Sequence, residues 1–235
     1  MDSAPPPPPP RPASRAPRAA LLLAVPSLLL LVLVSAEWQP LLTLDGDVAR
    51  TTHRWAVEHR GATDVARVLT DWVWDPWTMR ALCTVVILWL AGQRAWWLAL
   101  WLAGTCLAAS ILQQGMKAAV GRDRPRWPDP VDSAHYASFP SGHAMTAAVA
   151  CGLLLWLARL YGLGATVRRA GLAVAVVSVV GVGLTRVWLG VHWASDVVAG
   201  WLLGALTVTV AIALYERYAP APRRPVLDEP AETRA

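Results

Sequence analysis

Six stretches of this chain are too long and too apolar for an ordinary water-soluble core: Ala19–Ala36, Arg80–Ala91, Ala95–Ala119, Gly142–Leu157, Gly171–Leu184 and Trp193–Tyr215. Runs approaching 20 residues match the roughly 30 Å of hydrocarbon that a helix must cross. Within lipid a backbone must satisfy its own polar groups, so such runs are expected as helices. The second is short before a charge appears, and Trp77–Met79 extend it. The third and fourth carry polar groups at one end. The expected fold is all-α, a six-transmembrane-helix bundle, with residues 19–217 forming the membrane domain.

Composition agrees with a membrane environment: 55% of the 235 residues are hydrophobic and only 16% are charged. Several of the 14 tryptophans, among them Trp72, Trp74, Trp77, Trp188 and Trp193, gather near the ends of apolar stretches. Interfacial belts favour such amphipathic rings. Six spans put both termini on one side. Arg11, Arg15 and Arg18 precede the first span, Arg94 follows the second, Arg159, Arg168 and Arg169 follow the fourth, and Arg217, Arg223 and Arg224 follow the last. The positive-inside rule places these segments in the cytoplasm. The net charge of +5 is spread over membrane-flanking loops, which fits anionic lipid headgroups rather than nucleic acid. Cys83, Cys106 and Cys151 all lie inside apolar stretches without CxxC spacing, as small buried hydrophobes rather than a disulfide framework or zinc site.

Residues 1–18, with an unbroken Pro5–Pro10 run, and residues 218–235 are expected as disordered cytoplasmic tails. Arg18, the apolar run after it and Val34-Ser35-Ala36 also fit a signal peptide. Either way Glu37 falls on the extracytoplasmic side. Residues 37–76 form an extracytoplasmic loop in which Val57, Val65, Val68, Leu69 and Trp72 recur at near-helical spacing, as in an amphipathic helix lying along the interface. Gly121–Phe139 is a second long loop whose prolines preclude a regular helix. Gly200-x3-Gly204 permits close helix contact within the bundle.

Three short blocks fall at the ends of these stretches: Lys117-x6-Arg124-Pro125, Pro140-Ser141-Gly142-His143 and Arg186-x5-His192-x3-Asp196. Ionisable groups at a membrane boundary are costly and usually functional. His192 and Asp196, four residues apart, share one helix face, so Asp196 can accept a hydrogen bond from one ring nitrogen and leave the other free to attack phosphorus. Ser141 is placed as an N-cap, Gly142 allows a ligand near the backbone, and the first N–H groups of the next helix point at an anion. His143 projects from that turn, within reach of a leaving oxygen as acid and then of water as base. Lys117, Arg124 and Arg186 supply fixed positive donors for a phosphoryl group. Arg122 is a further candidate donor, and Arg126 is expected to be solvated.

In order and composition the three blocks resemble the signatures of the membrane-bound, bacterial-type members of the type 2 phosphatidic acid phosphatase (lipid phosphate phosphatase) superfamily, whose site is shared with vanadium-dependent haloperoxidases. The resemblance runs from about Arg80 to Tyr215. It implies His192 as nucleophile, Asp196 as its orienting carboxylate and His143 as acid/base. It also implies phosphate binding by Lys117, Arg124, Ser141, the Gly142 amide and Arg186. One departure is Thr185 where the family's third block commonly opens with Ser. The implied activity is metal-independent hydrolysis of a lipid phosphate or diphosphate (polyprenyl diphosphate, phosphatidylglycerol phosphate or phosphatidic acid) at the outer leaflet, without a cofactor. The partners implied are the lipid substrate and surrounding membrane lipids. A phosphotransferase using an alcohol acceptor and a non-enzymatic lipid-binding protein are the alternatives, and the oligomeric state is open.

Overall fold

The structure, a computed structural model, describes residues 16–219. The expected tails fall almost wholly outside those residues. The regular structure of the described residues is all helix: α1 (Ala16–Ser35), α2 (Gln39–Glu58), α3 (Arg60–Val68), a π-helical turn (Leu69–Val73), α4 (Pro76–Gly92), α5 (Trp96–Val120), α6 (Gly142–Leu160), α7 (Ala165–Trp188) and α8 (Ala194–Tyr218). By length and composition α1 (from Pro17), α5, α6, α7 and α8 can each cross a bilayer. The second apolar stretch lies in α4, which has 17 residues.

The distribution of side chains is that of a molecule solvated by lipid. Leu22, Val25, Leu107, Ile111, Val174 and Val177 all point outward. A soluble protein rarely exposes contiguous apolar patches of this extent. Inside, small residues bring the helices together. A Cβ on Gly200 would lie 2.7 Å from the Ser141 carbonyl oxygen, and one on Gly204 would lie 2.8 Å from the Met145 carbonyl. The Gly200-x3-Gly204 pair therefore seats α8 against the start of α6 within the chain, where close van der Waals packing replaces the hydrophobic drive absent in lipid. The three cysteines are free, with Cys83 buried and Cys106 and Cys151 half-buried.

Residues 37–76 differ from a loop carrying one amphipathic helix. They are helical almost throughout, with a break at His59. The inward face of α2 is Asp45, Ala49, His53 and Ala56, and that of α3 is Thr63 and Ala66. Val65, Val68 and Trp72 point outward. The apolar periodicity marked the outward face of this region, and small or polar residues mark the side packed on the bundle.

Local signals fix where the site-bearing helices start and stop. Asp75 caps α4, its Oδ2 accepting from the Trp77 N–H at 2.6 Å, with Pro76 at the first helical position. α5 ends at Gly121, whose φ of +60° favours glycine and whose N–H donates to the Lys117 carbonyl at 3.0 Å. That stop places Lys117 in the last turn of α5. The segment from Gly121 to Ser141 is irregular, as its prolines require.

Candidate functional site

The C-terminal ends of α5 and α7 and the N-terminal ends of α6 and α8 meet at one end of the bundle, and the three sequence blocks sit on those ends. Ser141 N–H donates to the Asp196 carbonyl oxygen at 2.9 Å, joining the second block to the third. Ser138 N–H donates to the Arg122 carbonyl at 2.8 Å, folding the 121–141 segment back over the same end. Gly190, with φ +67°, turns the chain from α7 toward His192. A Cβ there would lie 2.5 Å from Trp127 Nε1, which donates to the Gly190 carbonyl at 2.9 Å.

His192 is 2% exposed and Asp196 is fully buried. His192 Nδ1 lies 3.3 Å from Asp196 Oδ2. On the other side of the ring, Arg124 Nη1 lies 3.0 Å from His192 Nε2. A guanidinium only donates, so Nε2 is the accepting nitrogen and Nδ1 carries the proton that goes to Asp196. Burial first, and then the Arg124 and Arg186 charges, pushes the His192 pKa down to about 3 against the opposing pull of Asp196. The ring is neutral near pH 7 with its Nε2 lone pair directed at a cation. Arg124 itself, lowered to about 10 by burial and by Arg186, keeps its charge there.

Arg124 is fixed by backbone carbonyls: Nε donates to Tyr136 O at 2.9 Å, and Nη1 also donates to Val191 O. Lys117 Nζ donates to the Ala137 carbonyl. Arg186, near the end of α7, is 4% exposed, with Nη1 3.4 Å from Thr70 Oγ1 and 3.7 Å from Asp132 Oδ2. His143, in the first turn of α6, is half-buried and within electrostatic reach of Arg186, His192, Arg124 and Lys117. All eight residues singled out from the sequence thus belong to this end of the bundle. Two of their buried polar atoms, Ser141 Oγ and Arg186 Nε, have no hydrogen-bond partner among the described residues. Unpaired buried polar atoms are uncommon, and these two are positioned to bond a ligand or a water.

Three details refine the reading from the sequence. The Ser141 hydroxyl does not cap α6, which leaves it available to a ligand. A Cβ at Gly142 would lie 2.6 Å from Gln113 Nε2, so this glycine serves the approach of α5 to α6 as well as any ligand. The Thr185 hydroxyl donates to the Val182 carbonyl of its own helix at 2.8 Å and is spent there. Arg126 pairs at the exposed surface with Asp123 at 3.1 Å.

The larger difference concerns Arg122. Its guanidinium bridges two buried carboxylates, with Nη1 2.7 Å from Asp196 Oδ1 and Nη2 2.8 Å from Asp45 Oδ2. Asp45, on α2, also accepts from Ser195 N–H at 2.9 Å and from the Ser195 hydroxyl. Asp196 Oδ2 further accepts from the Ser138 hydroxyl and from Trp193 N–H at 2.9 Å. Sequence reasoning missed Asp45, Ser138 and Ser195. Only Ser195 had a local signal, its position beside Asp196.

Two cavities adjoin the site. A solvent-side recess of about 390 Å³ is lined by Arg124, Asp132, Tyr136, Gly190 and Val191. An apolar cleft of about 290 Å³ between α4, α5 and α6 runs from Ile87 and Cys83 to Gln113, the neighbour of Gly142.

Known proteins resemble this chain in sequence and in fold. The chain is 36% identical over 132 residues to decaprenylphosphoryl-5-phosphoribose phosphatase of Mycobacterium tuberculosis, in both strain CDC 1551 / Oshkosh and strain ATCC 25618 / H37Rv. That match covers 55% of this chain and 66% of each relative, just under two thirds of their length. The fold superposes on the crystal structure of a transmembrane PAP2-type phosphatidylglycerolphosphate phosphatase from Bacillus subtilis with a TM-score of 0.75, at 22% identity, over 87% of this chain and 98% of that one. Together with the apolar helices, this fold makes the chain a multi-pass membrane protein. The sequence profile of the PAP2 superfamily matches residues 94–219, more than half of the chain and all three blocks, and the chain therefore belongs to the PAP2 superfamily.

Proposed function

We propose that this protein is a membrane phosphatase that hydrolyses a lipid phosphate or diphosphate through a phosphohistidine at His192, without a metal. The observation that carries this is the state of His192: Nδ1 is held by Asp196 and the Nε2 lone pair faces Arg124. A phosphoryl group bound in front of His192 would take over the donors of Arg124, Lys117 and Arg186, with Ser141 Oγ and the first turn of α6 completing the cradle. Its negative charge would stabilise the imidazolium side of the reaction, which burial and the Arg124 and Arg186 charges disfavour.

In the first step His192 Nε2 forms the bond to phosphorus while the ester oxygen leaves with its electron pair and takes a proton from His143, which requires His143 to enter that step protonated. The arriving phosphate supplies the negative charge that favours this. In the second step His143 removes a proton from water, the water oxygen bonds to phosphorus, and the N–P bond breaks to restore His192. Phosphatase relatives support the hydrolytic outcome. Lipid substrates are supported by the apolar cleft that ends at Gln113 and Gly142 beside the phosphate cradle. The names of the relatives favour a polyprenyl-linked sugar phosphate or phosphatidylglycerol phosphate among candidate substrates. In the membrane, α4 serves as the sixth span, the termini lie in the cytoplasm, and the site lies on the extracytoplasmic face. The arginine-bearing flanks favour that orientation.

The test is phosphate release by detergent-purified protein in EDTA from polyprenyl diphosphate, polyprenyl-linked ribose phosphate, phosphatidic acid and phosphatidylglycerol phosphate, beside His192→Ala. Release that disappears in His192→Ala is expected. Equal release by both proteins overturns the mechanism, and complete suppression by EDTA that Mg²⁺ restores overturns metal independence.

A further inference from the structure

Behind His192 lies a buried polar cluster that joins Asp196 of the third block to Arg122, Ser195 and, on α2, Asp45. Asp45 is 1% exposed. Its three donors are Ser195 N–H, the Ser195 hydroxyl and Arg122 Nη2. Arg122 uses its two terminal nitrogens on two different carboxylates. That is unlike the usual bidentate fork, in which both nitrogens fall on one carboxylate and occupy both of its oxygens.

The consequence falls on Asp196. Arg122 occupies Oδ1 alone, so Oδ2 stays with His192 Nδ1, Trp193 N–H and the Ser138 hydroxyl. Two carboxylates sharing one guanidinium leave a net negative charge in a buried cluster directly behind the imidazole. Such a cluster is expensive to desolvate and is held by its mutual hydrogen bonds. Removing the charge of Asp45 frees Arg122 to turn its whole fork onto Asp196. The carboxylate that must support a positive imidazole during N–P bond formation would then be neutralised by a guanidinium instead.

We propose that Asp45 is a positioning residue for His192: by sharing Arg122 with Asp196, it keeps Asp196 Oδ2 committed to the imidazole. This rests on the reading of His192 as phosphoryl acceptor. It also gives α2 a role beyond linking the first span to the next, since α2 supplies the far end of the relay.

The experiment compares wild type, Asp45→Asn, Arg122→Gln and the double variant in detergent. The substrate is dioctanoyl phosphatidic acid, with vanadate and inorganic phosphate as inhibitors. Vanadate can accept an axial bond from a nucleophilic nitrogen, whereas phosphate reports mainly on the cationic cradle. Asp45→Asn should lower kcat about 10–100-fold, by analogy with the scale for outer hydrogen-bond partners of metal-ligating histidines, with KM within about twofold. Vanadate inhibition should weaken in parallel and phosphate inhibition should hold. In the Arg122→Gln background, Asp45→Asn should cost little more, because the two act as one unit.

Unchanged kcat in Asp45→Asn, fully additive losses, or equal weakening of phosphate and vanadate overturns the proposal. Should Asp45→Asn fail to fold, Arg122→Lys retains the charge but not the two-pronged bridge and should show the same kcat loss; full activity there overturns the proposal. Absence of turnover in wild type would count against phosphatidic acid as substrate, and absence across the whole lipid panel against the phosphatase itself. The proposal is then decided by 15N-histidine NMR, with His192 assigned through His192→Gln. A moved His192 Nδ1–H resonance in Asp45→Asn or Arg122→Lys supports it, and an unmoved one overturns it.

Discussion

Arg124 Nη1 stands 3.0 Å from His192 Nε2, so a guanidinium occupies the direction from which an electrophile would approach the ring. The contact fixes the tautomer, because a donor-only partner leaves Nε2 no option but to accept. It also makes Arg124 the first group that an incoming phosphate must engage. Arg124→Ala is expected to lower kcat/KM about 10²–10³-fold, the loss typical of one preorganised charge-stabilising donor. Arg124→Lys should rescue little, since a point charge cannot reproduce the fork that spans Tyr136 O, Val191 O and the ring. Steady-state kinetics on the three proteins checks both statements.

His192→Gln and His192→Ala should both abolish turnover, while inorganic phosphate should still bind, since Lys117, Arg124 and Arg186 remain. Isothermal titration with phosphate and a phosphate-release assay on the same preparations separate binding from chemistry. A His192→Ala protein with wild-type turnover would overturn the role given to this ring.

Acid should destabilise the fold partly through His192. Its folded pKa is depressed to about 3, from the ordinary value of 6.5, with burial as the main cause. Below about pH 6.5 the unfolded chain takes up a proton that the folded chain does not, so this contribution to stability is present above pH 6.5 and declines as pH falls toward 3. Thermal unfolding in detergent at pH 7, 6, 5 and 4 should therefore show a falling midpoint. In His192→Gln, which has no imidazole to protonate, that fall should be shallower. Equal slopes in the two proteins would show that the ring does not titrate in this way.

Which parts of this molecule were legible in sequence follows from the range of the interactions involved. Helix type, the position of Lys117 before Gly121 and the pairing of His192 with Asp196 are set within a few residues, so spacing reveals them. The packing of Gly200 on Ser141 was half legible: small residues announce a close contact, but not its partner. Asp45 was silent, because it meets Ser195 from 150 positions away and sits among other charges in a region read as an interfacial loop. Ser141 misled in detail, since a serine before a helix reads as a cap, while here its hydroxyl is left without a partner. Which face of α2 and α3 packs on the bundle was not legible for a related reason. In lipid a large apolar residue faces outward as readily as inward, and periodicity alone does not distinguish the two.

The α6–α8 contact gives a last test, in which packing and chemistry are separable. A methyl group on Gly200 would fall 2.7 Å from Ser141 O and 3.0 Å from Ala144 Cβ, closer than a Cβ tolerates. Relief requires α8 to move from the start of α6, and the same shift would lengthen the 2.9 Å bond from Ser141 N–H to Asp196 O. Gly200→Ala should therefore lower kcat by about tenfold or more, since displacements near 1 Å can cost about 10²-fold. It should also lower the unfolding midpoint, as overpacking typically costs about 1–3 kcal/mol. Gly115→Ala is the control on the same bundle: a Cβ there meets nothing within 4 Å, so both quantities should stay close to wild type. If Gly200→Ala loses stability but keeps full kcat, the α6–α8 contact holds the helices together without setting the geometry of the site.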